Sequence, residues 1–277
     1  MEATSFTVRW LPGAERFAEA HREAGQQLDN LCAPHWASIL LGADGIVTDA
    51  ESLALVAGTV LPPGDPYASI PEGARPRRDY RQALPIAPGP AQGGTSAHGL
   101  IEAVTKASGA TRALVPLLAP WTQERVGAVL RLCLEHPDWG AVPVANVRTG
   151  KFWGSRLPIA DAFAWLAGSN VVPPAPDWDV GHVVTIAGTV QGPLRSLLIV
   201  RDSYPRFGWD AHHLQPPEAM AAALERGDGR EGGIVLYVTG DDRADVERAS
   251  KDAGFQIEGW DNGTPWPPHG VEGGTDR

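Results

Sequence analysis

What most limits how this chain can fold lies beyond residue 140, where four apolar, β-branched runs follow one another: "AVPVANV", "HVVTIAGTV", "SLLIVRD" and "GIVLYVT". Each is bounded by Gly, Pro or Asp, so each reads as a strand. The first half reads as helices. Residues 13–24, "GAERFAEAHREA", put Phe17 and Ala20 or Ala24 on one side and break at Gly25. "CAPHWASILLGA" predicts a mostly buried helix entered from Asp29 and Asn30, with Pro34 in its first turn and Cys32 at its N-terminus. "TDAESLALVAG" has the Thr48–Glu51 spacing of a capping box and predicts a short helix. Another helix is expected from Thr95 or Ser96 to about Ala107, then a short strand at "ALVPLL". "TQERVGAVLRLCLEH" follows as an amphipathic helix with Val126, Val129, Leu130 and Cys133 on one side. "PPEAMAAALER" and "DRADVERASKDAG" add helices late in the chain, and "FQIEGW" a closing strand.

Helices first and sheet second predicts an α+β fold rather than a doubly wound one. The expected organisation is a single domain over residues 1–260, a helical part of about 13–135 packed on an antiparallel sheet part of about 140–260. Residues 61–94, dense in Pro and Gly, predict a surface loop or flap, and residues 261–277 a disordered tail.

Charge and cysteine usage narrow the function classes. A net charge of −10 argues against a nucleic-acid partner, because phosphate binding needs clustered Lys and Arg. The one basic cluster, "RPRRDYR", reads as a solvated loop. No apolar run approaches the roughly 20 residues of a membrane helix, and "MEATSFTVRW" lacks the pattern of a secretory signal. The expectation is no membrane partner and a cytoplasmic location. Two cysteines make neither a disulfide framework nor a zinc site. "GPAQGGTS" has phosphate-loop glycines, but Thr95 stands where the lysine should be. "DWDVGH" and His212–His213 match no metal-ligand spacing. No cofactor or metal is expected.

Thiol catalysis needs a nucleophilic cysteine, a histidine base, a group to orient the imidazole and donors for the oxyanion. Cys32 at a helix start lies where the dipole favours a thiolate. Gln26 offers an amide donor, with Gln27 its competitor; His182 opens one strand and Asp202 ends the next. If those strands pair antiparallel, the carboxylate comes beside the ring. Cys133, on the apolar side of its helix, reads as core. Trp36, Trp178 and Trp209, close in sequence to these residues, are the expected substrate contacts, and Asp179, His212 and His213 further polar members of the site.

The ordered set Gln, Cys, His, Asp, with "QLDNLCAPHW" entering a helix and "GHVVTIAG…LLIVRDSYP" on strands, resembles the papain-like cysteine peptidases. It is most similar to the branch of bacteriocin-processing leader peptidases, over residues 20–240. The resemblance implies a papain-like fold, Cys32 as nucleophile, His182 as general base and acid, Asp202 as orienting group and Gln26 as oxyanion donor. It departs at Ala33, where the family has glycine, and at "PHW", where small residues are usual; these bulky residues are expected to narrow the cleft or move the thiol. The implied activity is hydrolysis of a peptide or small amide bond through an acyl-enzyme. The alternatives are an acyl or peptidyl transferase or macrocyclase acting on modified peptides, with residues 61–94 as a water-excluding lid, and an inactive peptidase-like binding module. The oligomeric state is not legible.

Overall fold

The computed structural model describes residues 5–65 and 69–266. The helices are α1 (Ala18–Ala24), α2 (Cys32–Ala43), α3 (Ala50–Val56), α4 (Ala97–Ala107), α5 (Gln123–Glu135), α6 (Ile159–Leu166), α7 (Pro217–Glu225) and α8 (Arg243–Asp252). The strands are β1 (Thr7–Trp10), β2 (Arg112–Leu117), β3 (Val142–Arg148), β4 (Gly181–Gln191), β5 (Ser196–Arg201), β6 (His212–Gln215) and β7 (Gly233–Thr239). Among the described residues the strands form one sheet in the order β2-β7-β3-β4-β5-β6, every pairing antiparallel, with β1 joining the outer half of β4. The fold is α+β with an antiparallel sheet.

Burial explains why the strand runs are continuous rather than alternating. The first six residues of β3 and of β7 are all buried, as are seven consecutive residues of β4, a pattern that needs cover on both faces. Helices α2 and α4 pack on β4 and β2, with α3 joining them, while α7 lies on β3 and is backed by α5. The two halves are therefore less segregated than their order in sequence suggests: β1 and β2 come from the first half and enter the sheet, and α7 and α8 come from the second and cover it.

Local chemistry sets the helix starts. Ser96 and Thr122 accept from the Gly99 and Arg125 N–H groups and begin α4 and α5. At α3 the cap is Asp49, not the expected Thr48: its carboxylate accepts from Glu51 N and Ser52 N. Glu51 is then free to turn outward to the 61–94 segment, accepting from Arg81 N at 2.5 Å and Gln82 N at 2.9 Å and pairing with the Arg81 side chain. Three further expectations fail. The helix read over residues 13–24 forms only from Ala18, and "FQIEGW" makes a single bridge, Leu118 with Gln256, instead of a strand. The expected tail is packed as far as Thr264: Asp261 N donates to Glu231, Asn262 Nδ2 to the Thr95 carbonyl, and Thr264 is buried. Residues 267–277 of that expectation lie outside the described residues.

Candidate active site

The antiparallel pairing of β4 with β5 sets Thr185 opposite Arg201, so Asp202 emerges level with Val184, one pleat from His182 on the same face of β4. The His182 Nε2 and Asp202 Oδ1 atoms lie 3.1 Å apart, with the two side chains 2% and 3% exposed. Asp202 Oδ1 also accepts from the Tyr204 N–H at 2.9 Å, which holds the carboxylate in place. The ring of Trp178 lies edge-on to His182 at 4.9 Å and packs on Tyr204 and Phe207, shielding the pair from water.

Helix α2 brings Cys32 to the other side of the imidazole. Cys32 and His182 line the same cleft, and the thiol is among the neighbours that act on the charge of the ring. The helix is tied to the histidine strand by Trp36, whose indole donates to the Val183 carbonyl at 3.1 Å. This answers the question raised by "PHW". Pro34, His35 and Trp36 are all buried on the inner side of α2, and Ala33 alone of the four departures lines the cleft with Cys32.

Protonation follows from these neighbours. Burial opposes a charged imidazole at His182, but the Asp202 carboxylate and then the Cys32 sulfur outweigh it and raise its pKa to about 10. Burial likewise opposes the Asp202 charge, and His182 reverses that, holding the carboxyl below its ordinary range. His213, buried behind Asp202 and bonded to Gln215, is pushed down by burial and stays neutral.

The structure reassigns two expected residues. Gln26 donates its amide to the Arg75 carbonyl at 2.6 Å and lines a separate surface cavity, so it does not serve Cys32. Gln27 takes its place near the cluster: buried, it accepts from Ser203 Oγ at 2.6 Å, and that hydroxyl lies 3.5 Å from His182 Nε2. The chain reverses between Gln27 and Cys32 through Asn30 at φ 62°, a left-handed conformation Asn tolerates, and this turn decides which glutamine faces inward. Of the three tryptophans, Trp36 is core rather than substrate contact, Trp178 covers the histidine, and Trp209 is 47% exposed on the turn before β6, outside the cleft lining. Asp179 pairs with Arg148 and His212 with Arg201, so neither joins the cluster. Among the described residues no group of side chains is arranged to hold a metal ion, and no helix is long and apolar enough to cross a membrane.

The cleft that opens on Cys32 and His182 has a volume of about 60 Å³. Gly93, at the end of the segment expected as a lid, lines it, and its remaining walls come from segments that sequence reasoning did not connect to the site: Thr95 before α4, Asn146 from β3, Arg226 and Arg230 after α7, and Trp260 and Asn262 from the end of the chain. No periodicity or spacing marks them, since each arrives by a different turn.

Fold and site together define an α+β protein in which Cys32 and a buried His182–Asp202 pair cluster where the interior strands β4 and β5 of an antiparallel sheet begin and end. The chain belongs to the DUF6885 family, described as a family of unknown function, which it matches over residues 11–261. None of the curated proteins compared with the chain matches it.

Proposed function

We propose that the protein is a thiol hydrolase of the papain-like kind, cleaving a peptide or small amide bond through an acyl-enzyme on Cys32. One observation carries this reading: a cysteine at the first residue of a helix shares a cleft with a buried histidine whose ring is held by a buried aspartate. With His182 protonated, the Cys32 sulfur attacks the carbonyl carbon as a thiolate paired with the imidazolium. The developing oxyanion meets the Cys32 N–H, which as the first in α2 has no intrahelical acceptor. His182 returns its proton to the leaving amine as the C–N bond breaks. Water then attacks the thioester with His182 as base, releasing the carboxylic acid and restoring the thiol. Asp202 keeps the ring oriented throughout.

The shared cleft of Cys32 and His182, with the ring held by Asp202, supports catalysis over a role limited to binding. Brief exposure to a thiol-directed electrophile followed by peptide mass spectrometry tests it. Cys32 is expected to be labelled on the order of 100-fold faster than Cys133 in the folded protein, because only Cys32 has an adjacent base. Slow, equal labelling of both would overturn the assignment.

A further inference from the structure

The walls of the Cys32 cleft carry cationic groups and no carboxylate, in a chain of net charge −10. His182, Arg226 and Arg230 all line it. The two arginines differ in what they have left to bind. Arg226 is 2% exposed, and Asp228 holds its Nε at 3.1 Å and Nη2 at 2.9 Å, while Nη1 reaches Asn146 at 3.4 Å. Gly181, beside His182, leaves it room: a Cβ there would stand 3.0 Å from Arg226 Nη2. Arg226 is thus neutralised and fixed as part of the wall. Arg230 is half-buried and has no ion pair or hydrogen bond to any described residue. Of the nearby acidic groups, Asp228 pairs with Arg226 and Arg148 and feels the Arg230 charge only without a direct contact, Glu231 accepts from the Asp261 N–H, and Glu225 from the Trp121 N–H.

A second donor on the same cleft also lacks an acceptor. Trp260 is 5% exposed, and its indole N–H is buried without a hydrogen bond. Its Cε3 edge lies against Gly233, where a Cβ would come within 2.3 Å, so the nitrogen-bearing edge faces the other way. A group that docks on Arg230 meets a charge that no carboxylate of the cleft wall neutralises. Guanidinium and indole are donors only, so the group must supply acceptors and negative charge.

We infer that the cleft beside Cys32 is a carboxylate-binding subsite anchored by the Arg230 guanidinium, so that the enzyme's substrates are acidic peptides or amides whose carboxylate lies close to the scissile bond. This rests on Cys32 as the nucleophile, and the test separates the two. The probes are iodoacetate and iodoacetamide, which differ in charge and react alike, the sulfur–carbon bond forming as iodide leaves. Alkylation rates at Cys32 are measured by mass spectrometry in the wild type and in Arg230→Gln, Arg230→Lys and Arg131→Gln variants, the last removing an exposed charge on α5 far along the surface. The iodoacetate-to-iodoacetamide ratio is expected to fall about tenfold in Arg230→Gln, to be largely kept in Arg230→Lys and to be unchanged in Arg131→Gln. The iodoacetamide rate itself is expected to stay within about twofold in all of them. A ratio unaffected by Arg230→Gln in a protein whose Cys32 reacts rapidly with iodoacetamide overturns the subsite alone. Slow reaction of wild-type Cys32 with both probes overturns the nucleophile as well.

Discussion

Cys32 and Cys133 both sit on helices packed into the same core, and they end up with different chemistry. Cys133 lies inside α5, 1% exposed among Val126, Val129 and Leu130, and burial pushes its thiol up to about 12. Cys32 is the first residue of α2, open to a cleft that it shares with an imidazole held by Asp202. A thiol alone says little about reactivity; its place along the helix and access to a base decide it. The buried histidines repeat the lesson. His182 beside a carboxylate is held up at about 10, whereas His21, buried and bonded to the Arg201 guanidinium, is driven down to about 3.

The sharpest way to break the contrast between the cysteines is to remove the base. His182→Ala is expected to slow alkylation of Cys32 at neutral pH by roughly 10²–10³-fold, towards the rate of an unassisted thiol, and to leave Cys133 as unreactive as before. Mass-spectrometric labelling kinetics of the two peptides check this, with circular dichroism confirming the fold; a Cys32 rate unchanged by the substitution would mean that the histidine does not activate it.

A smaller effect is expected in stability against pH. The folded pKa of His182 lies above its ordinary value of 6.5, so its pairing with Asp202 contributes fully below about 6.5 and is lost as pH rises through about 10. Asp202, held low, keeps its contribution above the ordinary carboxylate range and loses it only in acid. Urea titrations at steps between pH 6.5 and 10.5 are therefore expected to show the wild type losing a few kcal/mol, on the order set by such linkage, relative to His182→Gln. Parallel curves for the two proteins would show that the pair adds no stability of this kind.

The smallest expected change tests the other cysteine. Cys133→Ala removes one buried sulfur from a packed core and is expected to lower stability by about 1 kcal/mol while leaving Cys32 labelling untouched. Thermal unfolding together with the same labelling assay reads both; a labelling change at Cys32 would show that α5 communicates with the cleft.

Much of the scaffold was legible in the residues because it is specified locally. The helix expected over "CAPHWASILLGA" spans Cys32–Ala43, Ser96 and Thr122 cap where side-chain oxygens reach free N–H groups, and the β-branched runs became β3, β4, β5 and β7. The short strand His212–Gln215 and the helix Ile159–Leu166 were not expected, nor was the N-terminal strand Thr7–Trp10, whose residues are all exposed and form a strand only because the outer half of β4 offers free backbone partners. Cys32, His182 and Asp202 were legible as chemical types in order, whereas the rest of the site was not. Gln26 and Gln27 are chemically identical neighbours, and only the turn at Asn30 sets which one is buried. Trp36 looked like a cleft residue because it is near Cys32 in sequence, yet it lies about 6 Å further along α2, where the same face of the helix is buried against β4.

The sequence by itself determined the strands, most of the helices and the order of a cysteine, a histidine and an aspartate along the chain, because secondary structure and residue chemistry are properties of short stretches. Tertiary structure alone decided that these three meet, since the contact depends on the β4–β5 register and on α2 being tied to Val183. It also decided that Arg230 and Trp260 face the same cleft, because bringing together residues from distant turns needs the whole packed chain.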